Sequence, residues 1–261
     1  MDISDYLDER SEVIDEVLDD VLSEEVDSGI LNDSCKHLID AGGKRVRPVL
    51  ALTSCEAVGG NSEDAVEIAA ALELLHTFTL VHDDIIDEDR FRRGEKTVHE
   101  KWNDSIGIIS GDALFSKAFQ IVAKTSEKMD LEKDVILQLF DIFSKTSYQL
   151  CQGQASDVNF ENQDEITEED YMRMVKRKTG SLMSASTKVG GIIGDGSRDE
   201  VDALTEYGKL MGVAFQIQDD ILEISEMKER TDEGMDGDFR KGKWTFLAVK
   251  AYEKSSPSEK L

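Results

Sequence analysis

Apolar residues recur along this chain at the spacing of helices and almost nowhere at that of strands. In 63–82, EDAVEIAAALELLHTFTLVH, residues such as Val66, Ala69, Ala70, Leu74 and Leu75 follow three- and four-residue intervals that gather them on one helical face. The same periodicity predicts helices near 3–26, 31–41, 46–58, 107–125, 132–153, 167–189, 199–226 and 243–254. No segment alternates as a half-buried strand does, and no solenoid-length repeat is present. The only prolines are Pro48 and Pro257, so the long stretch between them lacks the ring that breaks helices. Breaks are expected at Gly42-Gly43, at Gly59-Gly60-Asn61, and over 90–97, 157–166 and 228–242. None is long enough to separate domains. The pattern predicts one all-α domain over 1–261.

Composition narrows the function. With 261 residues, 39% of them hydrophobic, the chain can bury a sizeable core. Thirty Lys and Arg against 56 Asp and Glu give a net charge of −26, which repels phosphate backbones and argues against nucleic acid as a partner. No uninterrupted apolar run approaches the roughly 18–20 residues of a membrane span. The start, MDISDYLDERSEVIDE, is acidic, the reverse of a leader peptide. Cys35, Cys55 and Cys151 are odd in number and form no C-x-x-C pair, which suits a reducing cytoplasm. The acidity fits a halophilic cytoplasm and an ordinary acidic surface equally well. Residues 1–27 hold twelve acids and one base, and 157–170 holds acids only; both read as solvated faces.

Against that background the bases are grouped. Lys44, Arg45 and Arg47 form one cluster, and Arg90, Arg92, Arg93 and Lys96 a second. Arg173, Lys176, Arg177 and Lys178 form a third, and Arg240, Lys241 and Lys243 a fourth. Singly each is a solvated face. Together they suggest a site for a small, highly charged anion.

The acids sharpen this. Asp83, Asp84 and Asp87 make D-D-x-x-D at the end of an apolar helix, with Asp83 and Asp87 on nearly one face. Carboxylates one turn apart repel unless a cation lies between them. Mg²⁺ takes oxygen ligands and is commonly shared with substrate phosphates. Asp219, Asp220 and Glu223 repeat the arrangement as D-D-x-x-E after another helical run. Two such turns, facing each other across a cavity, would hold Mg²⁺ on a diphosphate and make it a better leaving group. Apolar helix surfaces behind the acids would keep water from a reactive organic fragment. That chemistry is ionisation of an allylic diphosphate.

At these residues the sequence resembles the trans-isoprenyl diphosphate synthases, the polyprenyl synthetase family, and most of all its archaeal-type geranylgeranyl diphosphate synthases. The matching stretches are GGKRVRP at 42–48, LLHTFTLVHDDIIDEDRFRRG at 74–94, GQASD at 153–157, KTGSL at 178–182 and FQIQDDIL at 215–222. They stand in the family's order. The resemblance implies a helical bundle around a central cavity. Lys44, Arg47, His76 and Arg93 match positions that hold isopentenyl diphosphate. Arg92, Lys178, Thr179 and Gln216 match positions for the allylic diphosphate, with Lys243 a weaker match. Asp83, Asp84, Asp87, Asp219, Asp220 and Glu223 match the metal-binding motifs, for a cluster of about three Mg²⁺ ions with Mn²⁺ as a substitute. Of these, Asp83, Asp84, Asp87, Arg92, Lys178 and Asp219 match the residues that drive ionisation. The isopentenyl double bond then attacks the allylic cation, and the released diphosphate takes the proton. The resemblance also implies a dimer, of two copies or with a paralogue.

On its own, His76 on an apolar helix reads as a core histidine, and His82 and His99 keep that reading. Gln216 and Gln218 point to different faces, so one at most meets the site; Gln216, three before Asp219, is the better placed. Phe78, five before Asp83, would floor the tunnel in which the product's tail grows, while Thr79 is small. A single aromatic at that earlier position resembles the C20 synthases, so geranylgeranyl diphosphate is the expected product. Three features depart from the family. Glu223 replaces a third aspartate, no lysine precedes Asp238 at the usual distance (Lys228 and Arg230 are the nearest substitutes), and the chain stops soon after Lys243. They keep open a catalytically impaired or regulatory subunit. A class I terpene cyclase fits less well, because it needs neither Lys44 and Arg47 nor the Asp219-Asp220 pair.

Overall fold

The computed structural model describes residues 2–23, 29–229 and 242–256, apart from the side chains of Ser4 and 224–229. Helices follow the apolar periodicity closely: α1 (Ile3–Ser23), α2 (Gly29–Asp40), α3 (Val46–Ala57) and α4 (Val66–Ile86), the last entered through a 3₁₀ turn over Ser62–Ala65. The short α5 (Val98–Lys101) leads to α6 (Asp104–Lys128) and α7 (Lys133–Phe160). Then come α8 (Glu168–Val175), a π-helical turn over Lys176–Gly180, α9 (Ser181–Ile193), α10 (Arg198–Glu229) and α11 (Phe246–Lys254).

Two expectations change in detail. The predicted break at 90–97 contains a two-residue antiparallel pair, β1 (Phe91–Arg92) with β2 (Glu95–Lys96), in which Arg92 faces Glu95. The helix predicted over 167–189 is interrupted by the π turn and runs on to Ile193. On length and hydropathy alone, Ser62–Ile86 and Asp104–Lys128 would each reach across a membrane, although neither carries an unbroken apolar run; 67% of the first window and 39% of the second are buried inside the protein.

The chain divides into two compact units. The first comprises Met1–Ser144 and Ala185–Thr205, the second Lys145–Ser184 and Glu206–Leu261. In the first, α4 is buried nearly all round: Ile68, Ala69, Ala70, Ala71, Leu72, Leu74 and Leu75 have no exposed surface. A helix apolar on every side belongs at the centre of its unit. Its main neighbour is α6, which runs antiparallel to it. His82 meets the Ile108 carbonyl at one end, and Glu67 takes the Thr125 hydroxyl at the other. The second unit packs Phe160, Ile166, Tyr171, Met174, Val175, Val213 and Val249 into its own core.

Candidate active site

The first unit gathers its basic residues where two turns meet. Gly42 and Gly43 end α2, and Arg45 then starts α3 with a left-handed backbone, φ 43° and ψ 32°. Arg93 and Gly94 form the β1–β2 turn, both with positive φ (55° and 85°), the geometry of a tight type I′ hairpin. A left-handed backbone costs a non-glycine residue roughly 1–2 kcal/mol. Such strain at two arginines persists only where other contacts over-determine it. Here they do. The Arg93 guanidinium donates to the carbonyls of Leu38 and Gly42 and lies against Gly43, where an added Cβ would come within 2.8 Å of it. Only glycine leaves that space.

Arg47 Nη1 donates to His76 Nε2 at 3.0 Å. An arginine cannot accept, so Nε2 is unprotonated and the ring's proton sits on Nδ1. Burial holds His76 well below the ordinary histidine range, helped by the charges of Arg47, Arg93, Arg92 and Arg45. Arg47, His76, Arg93 and the neighbouring Arg45 thus stand together, and Lys44 projects from the same loop into solvent.

Asp84 holds one member of the second basic cluster, Arg92. It is fully buried, and Arg92 Nε donates to its Oδ1 at 2.5 Å. Burial pushes the Asp84 carboxyl up to about 6, against the opposing pull of Arg92. Asp83 and Asp87, by contrast, are partly exposed, Asp83 in the last turn of α4 and Asp87 capping it. Phe78 is nearly buried one to two turns earlier, and the Thr79 hydroxyl is tied back to the His76 carbonyl.

In the second unit the other predicted residues form a single string. Thr179 Oγ1 donates to Gln216 Oε1 at 2.8 Å, and Gln216 Nε2 donates to Asp220 Oδ1 at 3.0 Å. Asp220 Oδ2 accepts from the Tyr171 hydroxyl at 2.6 Å and from the Phe246 backbone N–H at 2.7 Å. Burial, then Asp220, pushes the Tyr171 phenol above its ordinary value, so it stays a donor. Lys178 Nζ pairs with Asp157 at 2.6 Å, and Gly153 lets the Lys178 backbone pack close, since a Cβ there would stand 2.5 Å from the Lys178 backbone nitrogen. Asp219 is exposed and Glu223 half-exposed; Lys243 is buried ahead of α11.

The two acidic motifs therefore share a plan. In each, the middle aspartate is buried and bound by protein donors, while the outer two, four residues apart, reach solvent. The outer four all carry polar or electrostatic contacts of their own. Among the described residues no three acids or imidazoles converge as a ready metal cage. Mg²⁺ does not demand one, since it keeps waters and takes one or two carboxylates with phosphate oxygens. The hard oxygen pairs fit it. Residues 230–241, with Arg230, Asp238, Arg240 and Lys241, and the side chain of Lys228 lie outside the described residues.

Known proteins resemble this chain over nearly all of its length. Residues 28–261 match the model of the polyprenyl synthetase family. The chain belongs to that family. It is 43% identical over its whole length to a short chain isoprenyl diphosphate synthase of Methanothermobacter thermautotrophicus, covering 78% of that relative. It is 39% identical to a geranylgeranyl diphosphate synthase of Methanosarcina mazei, over 97% of this chain and 77% of the other. The solved geranylgeranyl pyrophosphate synthetase of Pyrococcus horikoshii superposes with a TM-score of 0.89 at 40% identity, over 98% of this chain and 78% of that one. The family membership makes the chain a trans-prenyltransferase with an all-α fold.

Sequence reasoning left several contributors without a role. Arg45, Glu73, Asp157 and Tyr171 do not match diphosphate-holding positions, yet Asp157 pairs with Lys178, Tyr171 donates to Asp220, and Arg45 and Glu73 pair with each other beside Arg47 and His76. Gln154, inside the quoted GQASD stretch, has both amide atoms buried without a hydrogen-bond partner among the described residues. Glu73 was legible in principle: it is an acid in the middle of the apolar run AAALELLH.

Proposed function

We propose that this polyprenyl synthetase condenses isopentenyl diphosphate head to tail with allylic diphosphates of C5 to C15, yielding geranylgeranyl diphosphate, with Mg²⁺ as its metal. The observation that carries the reading is the shared plan of the two acidic motifs. Asp83 and Asp87 in the first unit, and Asp219 and Glu223 in the second, are the ligand pairs. The metal, when bound, stabilises charge on the departing diphosphate. Asp84 does a different task from its neighbours. It fixes the guanidinium of Arg92, so the charge that meets the allylic diphosphate is already oriented. Asp157 does the same for Lys178, and the Tyr171–Asp220–Gln216 string for Thr179. Lys44, Arg47, His76 and Arg93 hold isopentenyl diphosphate, and Lys243 joins the allylic set.

Product length is set from Phe78, with Thr79 beside it too small to block. Phe78 packs edge-on against Phe115 at 5.2 Å between ring centres, and Phe115 against Phe119 at 5.0 Å. Because α4 and α6 run antiparallel, Phe119 lies a turn farther from the aspartates. The rings give a growing apolar tail a dry wall. The enzyme works in the cytoplasm as a dimer.

Replacing the outer acids tests the assignment. Asp83→Ala and Asp219→Ala are each expected to lower turnover about a hundredfold or more while the helical circular dichroism spectrum is unchanged. Full activity in either variant would remove that acid from the metal set.

A further inference from the structure

Arg45 sits inside the basic loop but cannot touch a substrate. Its side chain is 1% exposed, and all three guanidinium nitrogens are engaged. Nε donates to Asp15 on α1 at 2.6 Å, Nη1 to Glu73 on α4 at 3.0 Å, and Nη2 to the Ile39 carbonyl at the end of α2 at 2.8 Å. One planar fork thus joins three helices at the point where the loop 42–45 enters α3. A lysine, a point charge on a flexible stem, cannot span those three acceptors.

The register of the basic residues follows from this fork. Glu73 and His76 are three apart on one face of α4, and Arg45 and Arg47 are two apart at the start of α3. Arg45 takes Glu73, and Arg47 takes His76. Arg93 is fastened to the same end of α2 one residue away, on the Leu38 carbonyl. Glu73 is itself buried among these arginines, with Oε2 lacking a hydrogen-bond partner. It engages Arg45, while Lys44 stays exposed and Arg47 and Arg93 turn to His76 and the α2 carbonyls.

We propose that Arg45 and Glu73 are positioning residues for isopentenyl diphosphate: their ion pair holds Lys44, Arg47 and Arg93 in the arrangement that recognises a diphosphate, without contacting it. This rests on the proposed function. The left-handed backbone of Arg45 is part of the device, because it turns Arg45 inward and leaves Lys44 outward.

The test compares wild type with Arg45→Lys in steady-state assays, varying each substrate in turn at saturating Mg²⁺. Arg45→Lys is expected to raise KM for isopentenyl diphosphate about tenfold or more, with KM for the C15 allylic diphosphate within about twofold of wild type. Equal rises in both, or an unchanged isopentenyl KM in folded protein, would overturn the proposal. Should Arg45→Lys not fold, Asp15→Ala keeps two of the three bonds, and a shift of about threefold in the same direction is expected. No shift in it would count against the fork.

Titrating isopentenyl diphosphate into both proteins by calorimetry separates the two readings. A wild type that binds but does not turn over contradicts the proposed reaction, while weaker binding by Arg45→Lys still supports the positioning role. A wild type that does not bind sinks both.

Discussion

His76 shows how one residue can look bland in sequence and be fixed in structure. A histidine on an apolar helix usually belongs to the core, and His76 is indeed partly buried; what sets it apart is a neutral ring accepting from Arg47 amid four arginines. The consequence has a definite sign. With its folded value held well below that of the unfolded chain, near 6.5, His76 contributes stability above that value. That stability is lost as the pH falls below about 6.5, because the unfolded chain takes up a proton that the folded site refuses. Thermal melts between pH 7.5 and 5.5 should therefore show His76→Gln losing less stability on acidification than wild type, since glutamine can accept from Arg47 and does not titrate. Parallel loss in both proteins would mean that His76 is not held neutral. Gly43 makes a second residue-scale case. Gly43→Ala is expected to displace Arg93 and raise KM for isopentenyl diphosphate, and an unchanged KM would show that the Arg93 contact is dispensable. The residue types around Arg47 and Arg93 were readable from the motifs. Their anchors were not, because Arg45 and Glu73 pair across 28 positions of sequence with nothing local to announce it.

At the scale of elements, periodicity located the helices well because most bury one apolar face, and α4 nearly all of its surface. It failed where hydrogen bonding changes without a change of composition. The π turn at Lys176–Gly180 lies inside what reads as one continuous helix, and it holds Lys178 and Thr179. Helix interiors with an i→i+5 bond have no residue signature, though they cluster at functional sites. Close packing stabilises the turn: a Cβ on Gly212 of α10 would come within 2.7 Å of the Gly180 Cα. The α4–α6 pair carries the prediction on product length. Phe78→Ala should lengthen the product by about one isoprene unit, to C25, since the ring of Phe115 stands next below it. Removing the ring costs about 3–5 kcal/mol, so the product should be analysed well below the variant's measured Tm. An unchanged C20 product from folded Phe78→Ala would show that the tail does not pass this ring.

For the whole molecule, the charge of −26 excludes little once the sites are located. Most acids lie on exposed helix faces, whereas Glu73, Asp84 and Asp220 are buried counter-charges or hubs. A chain this acidic can still bind a diphosphate, because its bases are grouped and its nearest acids are already occupied by them. Fold class and family were legible in the sequence, since five ordered motifs and the helical period point the same way. The division into two compact units was not, because no linker marks it: α7 and α10 each run through a boundary. The most direct test is product analysis. Purified protein with labelled isopentenyl diphosphate and, separately, C5, C10 and C15 allylic diphosphates should yield one C20 diphosphate from all three primers with Mg²⁺, and none after chelation. No extended product from any primer, at low or high salt, would contradict the assigned reaction.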